Sequence, residues 1–208
     1  MSKFKKRSIA LLFLLAISVP GVQAAVVPVA DEATWSSNVG ASLLVDFEAF
    51  TGPVASEYSG LVFSPFNGGS PTAVDYYPYE GTNTMFTAQE VGWGGGGWAA
   101  DFDTPTSGVA MWVGDLQFLG STITFYDDAH EIIGFFDLLE TGNGNGPTVY
   151  GFNAYISDSP NIARVEVTID PSDAVWFDNV YFGVGGTASA PDGPAISTTW
   201  GRMKSSFR

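Results

Sequence analysis

The sequence predicts an all-β fold: an antiparallel two-sheet β-sandwich, jelly-roll-like, with about ten strands and a short N-terminal helix. Short runs rich in β-branched and aromatic residues recur along the chain, each bounded by Gly, Pro, Asn or Asp. Helical periodicity is missing between these runs, which argues against parallel strands joined by helices. Sheets with this many strands bury one face each by packing against one another.

The predicted elements follow one another closely along the chain. An extended start at 26–29 precedes a brief helix that begins after Asp31, a residue suited to the N-cap position. A polar turn at 128–131 is expected to join strands 121–127 and 132–138 into a hairpin. The predicted strands are 43–48, 61–64, 72–77, 84–88, 98–102, 108–113, 121–127, 132–138, 149–155, 163–169 and 175–182.

The first 24 residues have the pattern of a secretory signal peptide. A basic start from Lys3 to Arg7 precedes the apolar run from Ile9 to Val19, and small residues precede a cleavage point after Ala24. That apolar run is shorter than the ~20 residues needed to cross a bilayer. We therefore expect a bacterial protein that is secreted or displayed at the cell surface, with no transmembrane anchor in the mature chain.

Composition divides the expected mature chain into three parts. Residues 25–182 form the predicted sandwich, in which the glycine-rich stretches at 92–98 and 142–147 are expected to be loops. Residues 183–196 are rich in Gly, Ala, Ser and Pro, which predicts a flexible linker. Residues 197–208 form a short basic tail.

Acidic residues dominate the chain, with 22 Asp and Glu against 8 Lys and Arg. Removal of the signal peptide takes away four basic residues and no acidic one, so the formal charge changes from −14 to −18. Between Ala25 and Ala190 the one Lys or Arg is Arg164. Nucleic acid is excluded as a partner, because phosphate contacts require Lys and Arg. Cations are favoured instead, although solubility alone explains the acidity equally well.

Composition and residue spacing also argue against the common types of catalytic site. The chain has no Cys and one His, His130, which falls among acidic residues in the predicted hairpin turn. Glycines 92, 94 and 97 match a dinucleotide-binding spacing, but no helix is expected behind them. No compact carboxylate pattern marks a glycosidase pair. The prediction is therefore a protein without enzymatic activity.

Acidic residues within two predicted strands indicate an ion site. Alternation along strand 43–48 places Asp46 and Glu48 on one face, and Asp178 and Asn179 interrupt an otherwise apolar strand. A buried carboxylate is unfavourable unless it is paired or binds a metal. Ca²⁺ accepts about six to eight oxygen ligands in irregular geometry, which makes it the expected ion. In the alternative, the carboxylates are solvated or bonded to loop amides.

Aromatic residues on predicted loops are the candidate ligand-binding side chains. Trp93 and Trp98 flank a run of four glycines, and Tyr77 and Tyr79 lie on either side of a proline. Exposed rings stack on sugar rings, and glycine permits close approach. Packing of these rings over the edge of the sandwich is the alternative. Two further tryptophans lie in apolar strands and are expected in the core: Trp112 and Trp176.

Several short motifs together resemble the exported β-sandwich domains of PEP-CTERM-type bacterial proteins. They are an early Asp-Phe-Glu, the segments 57–64, 100–109 and 122–127 with Ile-Gly after it, and a closing Trp-Phe-Asp-Asn-Val-Tyr-Phe. The opening and closing motifs are also similar to those of jelly-roll carbohydrate-binding modules. In those modules an opening Glu and a closing Asp bind a structural calcium ion. The resemblance implies this role for Glu48 and Asp178, to which strand geometry adds Asp46 and Asn179.

The end of the chain departs from the PEP-CTERM pattern, since Pro-Glu-Pro, an apolar helix and an arginine cluster are missing. In their place is a Trp-Gly-Arg-x-Lys tail that looks similar to short tails of other bacterial secreted proteins. Its helically spaced residues form a small basic amphipathic face. They are Trp200, Met203, Lys204 and Phe207, with Arg202 beside them. We expect recognition by export or surface-attachment machinery, with docking on the sandwich or a frayed terminus as alternatives.

These features together predict a secreted, non-catalytic β-sandwich, stabilised by calcium, that acts as a carbohydrate-binding or adhesive module for extracellular polysaccharide. The first alternative is a structural component of an extracellular matrix or surface layer that binds no small ligand. The second alternative is an enzyme that acts on polysaccharide.

Overall fold

The computed structural model describes residues 25–49, 51–75, 77–89, 95–139, 141 and 149–183. One α-helix and thirteen strands lie within these ranges. They are β1 (Val26–Val29), α1 (Glu32–Val39), β2 (Ser42–Val45), β3 (Gly52–Pro53), β4 (Leu61–Pro65), β5 (Gly69–Val74), β6 (Thr84–Gln89), β7 (Gly97–Thr106), β8 (Gly108–Gly114), β9 (Thr122–Tyr126), β10 (Ile132–Asp137), β11 (Tyr150–Ser157), β12 (Ile162–Thr168) and β13 (Trp176–Gly183). The predicted all-β fold with one short N-terminal helix is confirmed.

The described strands form two antiparallel sheets with one buried core between them. Sheet A has the order β1, β11, β8, β13, β6, β5, β3, and β2 pairs additionally with β13. Sheet B has the order β10, β9, β12, β7, β4. From β7 onward the chain passes repeatedly from one sheet to the other, so that β8, β11 and β13 lie in sheet A and β9, β10 and β12 in sheet B. This jelly-roll-like sandwich is the predicted architecture.

Trp98 of β7 lies in the centre of the core and contacts both sheets. Its ring centroid is 5.5 Å from that of Phe63 in sheet B and 5.5 Å from that of Phe177 in sheet A. Burial of a large aromatic side chain contributes about 1.5–3 kcal/mol to stability. This position corrects the expectation that Trp98 is a ligand-binding residue on an exposed loop. Its strand begins one residue earlier, at Gly97, and turns the ring inward.

Helix α1 begins at the predicted N-cap. The Asp31 carboxylate accepts hydrogen bonds from the backbone N–H of Thr34 at 2.9 Å and from its hydroxyl at 2.8 Å. At the other end Gly40 has φ of 73°, and its N–H donates to the Ser36 carbonyl. The buried side chain of Trp35 packs with Ala110, Ala154 and Tyr181 on the outer face of sheet A. No helix in the described part of the chain has the length and apolar character needed to cross a membrane.

Strand β2 ends earlier than predicted, at Val45. Two residues later Phe47 has φ of 56°, which lies in the left-handed region and ends the extended backbone. The Phe47 ring is buried, with its centroid 6.1 Å from that of Phe63. The strand predicted over 43–48 therefore ends early, but Val45 and Phe47 are buried while Asp46 and Glu48 lie toward the surface, as the predicted alternation placed them.

Strand β13 changes its neighbour near its middle. Its first two residues pair with β6, and its last four pair with β2. Between these parts Asn179 has φ of 45°, and the register with β8 shifts between Asp178 and Tyr181. The irregularity places Asp178 at a bulge, where its side chain meets the segment that joins β5 to β6.

Candidate functional site

The segment between β5 and β6 lies against the outer face of sheet A, and we call residues 77–83 the strap. Strand β5 ends at Val74, three residues earlier than predicted, and Tyr77 has φ of 48°. The rings of Tyr77 and Tyr79 contact Trp176 of β13 and Trp112 of β8. Both tryptophans alternate with core residues along their strands, so the strap covers the face of the sheet that is turned away from the core.

The buried carboxylate of Asp178 accepts hydrogen bonds from the start of the strap. One oxygen, Oδ2, accepts from the N–H groups of Tyr79 at 2.8 Å and Glu80 at 3.2 Å. The other, Oδ1, accepts from the Asn179 N–H at 2.8 Å. Burial raises the pKa of Asp178 to about 6, helped by the charge of Glu48, while the three amide hydrogen bonds oppose the rise. Asp178 thus joins the strap to the bulge in β13.

Glu48 makes the matching contacts with the end of the strap. Its Oε1 accepts from the N–H groups of Thr82 at 2.9 Å and Asn83 at 3.0 Å, and its Oε2 accepts from the Thr82 hydroxyl at 2.8 Å. Partial burial by itself would raise the pKa of Glu48, but these hydrogen bonds outweigh it and the pKa is lowered. The Asn83 side chain donates in turn to the Phe47 carbonyl at 3.2 Å. Both ends of the strap are therefore fixed by carboxylates from distant parts of the sequence.

The four residues expected to bind calcium lie in one region, with amide donors among them. Asp46 accepts from the Glu48 N–H at 3.2 Å, and the Asn179 amide donates to Glu80 at 3.3 Å. Among the described residues, no group of three or more His, Cys, Asp or Glu is arranged to hold a metal ion. The contacts of Glu48 and Asp178 correspond to the alternative in which loop amides satisfy the carboxylates. Calcium binding by Asp46, Glu48, Asp178 and Asn179 stays a prediction.

Five rings lie on the outer face of sheet A, and we call them the aromatic face: Tyr77, Tyr79, Trp112, Tyr150 and Trp176. The hydrogen bond from the Tyr150 hydroxyl to the Tyr77 carbonyl joins the Tyr77–Trp176 pair to the other three rings. Tyr79 is stacked on Trp112 with ring centroids 4.0 Å apart and planes inclined by 13°. It also lies 5.4 Å from Tyr150, and Tyr77 meets Trp176 edge-on at 5.5 Å. Tyr77 is 44% exposed and Tyr79 is 38% exposed, so these two rings reach solvent while the others support them.

Carboxylates border the aromatic face. Partial burial raises the pKa of Tyr79, and the charges of Glu80, Glu32 and Asp178 raise it further. Tyr150 likewise has a raised pKa, first because it is buried and then because Asp178 and Asp115 lie nearby. The face therefore combines apolar rings with a negative electrostatic potential.

The outer face of sheet B has a different chemistry. Arg164 of β12 forms ion pairs with Asp101 at 2.6 Å and with Glu166 at 2.9 Å, and the Tyr126 hydroxyl donates to Glu166 at 2.7 Å. These side chains bind one another across neighbouring strands. Their hydrogen-bonding capacity is largely used within the protein, which makes this face a weaker candidate for ligand binding.

The sequence predicted Tyr77 and Tyr79 as exposed rings, and the structure places both on the aromatic face. It missed Trp112, Trp176 and Tyr150 as their supports. Each tryptophan is out of phase with its core neighbours, Met111 and Val113 or Phe177, but apolar residues on both faces of β8 and burial along all of β13 hide this alternation in the sequence. Trp176 is buried as expected, but beneath the strap.

Some predictions lie outside the described residues. They concern the signal peptide, the linker, the ligand-binding residue Trp93 and the tail. The tail residues are Trp200, Arg202, Met203, Lys204 and Phe207.

No protein-family model and no curated protein matches the sequence. Among solved structures, the chain is similar to a variant of CBM29-2, a family 29 carbohydrate-binding module, at 13% identity and a TM-score of 0.42, covering 70% of this chain and 94% of that one. The CBM22-1 xylan-binding domain of Paenibacillus barcinonensis Xyn10C is similar at 11% identity and a TM-score of 0.40, with coverage of 68% and 93%.

The enzymatically active domain of bacteriophage CBA120 tailspike protein 4 is also similar, at 14% identity and a TM-score of 0.40. The likeness covers 60% of this chain, which spans 19% of the tailspike chain. All three TM-scores are below 0.5, so the fold and the candidate site rest on the geometry of this chain itself.

Proposed function

We propose that this protein is an exported, non-catalytic carbohydrate-binding module that holds polysaccharide on the aromatic face. The observation that carries the proposal is the Tyr79 ring, which is stacked on Trp112 and yet 38% exposed, beside the exposed Tyr77. The apolar faces of sugar rings pack on aromatic rings of this kind. Exposed aromatic rings gathered on one face of a protein are typical of an interaction site.

The two exposed rings are held in place before any ligand arrives. Asp178 binds the backbone of Tyr79, and the Tyr77 carbonyl accepts a hydrogen bond from the Tyr150 hydroxyl. Immobilising a flexible side chain on binding costs about 0.5–1.5 kcal/mol. Much of that cost is avoided here because the strap is already fixed at both ends. Such preorganisation supports binding as the role of this surface.

Polar groups beside the rings give the face hydrogen-bonding partners for a sugar. Glu80 lies next to Tyr79 in the strap, and Glu32 of α1 is close enough to influence the pKa of the same tyrosine. Carboxylates accept hydrogen bonds from sugar hydroxyl groups. A few polar groups around an apolar surface are typical of specific ligand sites.

These groups support binding of a polysaccharide without its cleavage. Glycoside hydrolysis needs two carboxyl groups directed at the scissile bond. Asp178, the buried carboxyl group at this face, is directed instead at three backbone amides. Export by the signal-peptide pattern belongs to the same proposal, because it would bring the protein to extracellular polysaccharide.

The test is binding of the mature protein to a panel of insoluble polysaccharides, compared with its Tyr79→Ala variant. We expect wild type to be depleted by at least one polysaccharide. Loss of one stacked ring should weaken that binding at least tenfold, the equivalent of about 1.4 kcal/mol.

The matched control is Phe135→Ala on sheet B, where the ring is 60% exposed and distant from the strap. This variant should bind as wild type does. Equal losses in the two variants, or no binding of wild type to any polysaccharide, would refute the proposal and favour a structural role.

A further inference from the structure

The aromatic face carries a charge pattern that selects among sugars. Four carboxyl groups lie close enough to its tyrosines to raise their pKa values: Glu32, Glu80, Asp115 and Asp178. They come from α1, the strap, the end of β8 and β13, and Glu80 is the one among them that directly follows a ring of the face, Tyr79. An ammonium group on a ligand would meet both this potential and the faces of the rings.

No positive side chain in the described part of the chain balances these carboxylates at the aromatic face. The one described Lys or Arg is Arg164, which lies on β12 in sheet B. Its charge is already matched there by Asp101 and Glu166. His130 lies in the turn between β9 and β10, also in sheet B. A carboxylate on a ligand would therefore meet repulsion at the aromatic face, where the described residues offer no cation to balance it.

Glu80 is the carboxylate best placed to meet a ligand. It is exposed, it follows Tyr79 directly in the strap, and it accepts a long hydrogen bond of 3.3 Å from the Asn179 amide. An ionised carboxylate can accept about four hydrogen bonds, so capacity for a ligand remains. Asp178, in contrast, is buried and bonded to three amides.

We propose that the aromatic face binds glycans that carry free amino groups, such as polymers of glucosamine, in preference to uncharged glycans, and rejects glycans rich in uronic acids. This inference rests on the proposed carbohydrate-binding function. The ring faces contact the sugar, and Glu80 contacts the ammonium group. An amino glycan fits this face because its sugar rings can pack on the exposed aromatic rings and its ammonium groups are attracted by the bordering carboxylates.

The test measures binding of the mature protein, by calorimetry at physiological salt, to three sets of oligosaccharides of equal length. These are glucosamine oligomers, their N-acetylated forms and galacturonic acid oligomers. We expect the free amines to bind at least threefold more tightly than the acetylated forms, the scale of an exposed cation–π contact, and the acidic oligomers not to bind.

Three variants separate a specific site from general attraction to an acidic protein. Glu80→Gln keeps an oxygen that accepts from Asn179, and it should weaken binding of the free amines about threefold, the scale of an exposed ion pair, while leaving the acetylated forms unchanged. Tyr79→Ala should weaken both. Glu131→Gln, an exposed change in the sheet B turn, should alter neither.

The outcomes are distinguishable. Equal affinity for free and acetylated amines, or equal effects of Glu80→Gln and Glu131→Gln, overturns the amino-glycan inference and leaves carbohydrate binding intact. Failure of every oligosaccharide and every polysaccharide to bind overturns the proposed function itself.

Discussion

At the scale of single residues, the buried carboxylate of Asp178 has backbone amides as partners where a bound ion was expected. A carboxylate in an apolar strand needs partners, and its partners here are the N–H groups of Tyr79, Glu80 and Asn179. Hydrogen bonds to a charged group contribute about 1.5–3 kcal/mol each when a partner is removed. Asp178 therefore links the stability of β13 to the position of the exposed Tyr79 ring.

Replacement of this carboxylate should be costly. Asp178→Asn keeps the size of the side chain but turns an NH₂ group toward backbone donors, so we expect a loss of about 2–3 kcal/mol in the free energy of unfolding. Urea denaturation measures this loss. Asp158→Asn, an exposed change beyond β11, is the control and should have almost no effect. A loss equal to that of the control would contradict the role given to Asp178.

The same residue predicts a pH dependence. The folded state raises the pKa of Asp178 from its ordinary 3.8 to about 6, so between these values the folded protein binds a proton that the unfolded chain does not. The proton on Asp178 therefore adds stability that is complete below pH 3.8 and is lost as the pH rises through 6, in addition to the amide hydrogen bonds that the ionised group keeps. The stability gap between wild type and Asp178→Asn should widen on acidification from about pH 7 to about pH 5. A constant gap would refute the raised pKa.

At the scale of elements, the strap is held by a tight fit at Gly81. This residue has φ of +71°, and a Cβ atom there would overlap the Glu48 carboxylate. Gly68 has a similar φ of +79°, but nothing lies within 4 Å of its Cβ position. The two glycines therefore share a backbone strain and differ in what a side chain would displace.

We predict that Gly81→Ala costs more than Gly68→Ala. Both substitutions carry a left-handed backbone penalty of about 1–2 kcal/mol. Only Gly81→Ala pushes Glu48 away from Thr82 and Asn83, which should add about 1–2 kcal/mol. Amide hydrogen exchange at Thr82 and Asn83 should accelerate in Gly81→Ala alone. Identical exchange rates in the two variants would show that Glu48 does not hold the strap.

Local elements were the most predictable part of the fold. Asp31 occupies the predicted N-cap, and the turn after Asp127 joins β9 to β10 as expected, because both features depend on neighbouring residues. The end of β2 was not predictable, since a left-handed Phe47 leaves no compositional sign. Trp98 was predicted both at the end of a glycine-rich loop and at the start of a strand, and the strand is correct, since β7 includes Trp98 and buries its ring.

The candidate site was only partly predictable for a different reason. Tyr77 and Tyr79 were identifiable from their place on either side of Pro78, although Tyr77 was also predicted to end a strand. Their supports were not, because Trp112, Tyr150 and Trp176 lie on strands far along the chain from the strap. In β8, apolar residues occupy both faces of the strand, so the pattern did not show that Trp112 faces away from the core.

At the scale of the whole molecule, the binding of a structural calcium ion by the acidic sandwich is a testable prediction. An ion that binds the folded state alone stabilises it by about 2.7 kcal/mol at a hundred times its Kd, which corresponds to roughly 5–10 °C in Tm. We expect Ca²⁺ to raise the Tm of wild type but not that of Glu48→Ala/Asp178→Ala. A double variant at exposed acidic residues, Asp128→Ala/Asp158→Ala, should still respond.

Differential scanning calorimetry of wild type and both double variants, with Ca²⁺ and with a chelator, measures these changes in Tm. An equal rise in wild type and in Glu48→Ala/Asp178→Ala would remove the site from these residues. No rise in wild type would leave the amide hydrogen bonds as the full explanation for both carboxylates.

The central claim is that the aromatic face on sheet A is the ligand-binding surface. Its most direct test is an NMR titration of the isotopically labelled mature protein with the tightest-binding oligosaccharide. We predict that the amide and ring signals of Tyr77, Tyr79 and Trp112 shift. The backbone amide signals of Tyr126 and Arg164 on sheet B should stay unchanged. Shifts confined to sheet B, with the strap unaffected, would contradict the claim.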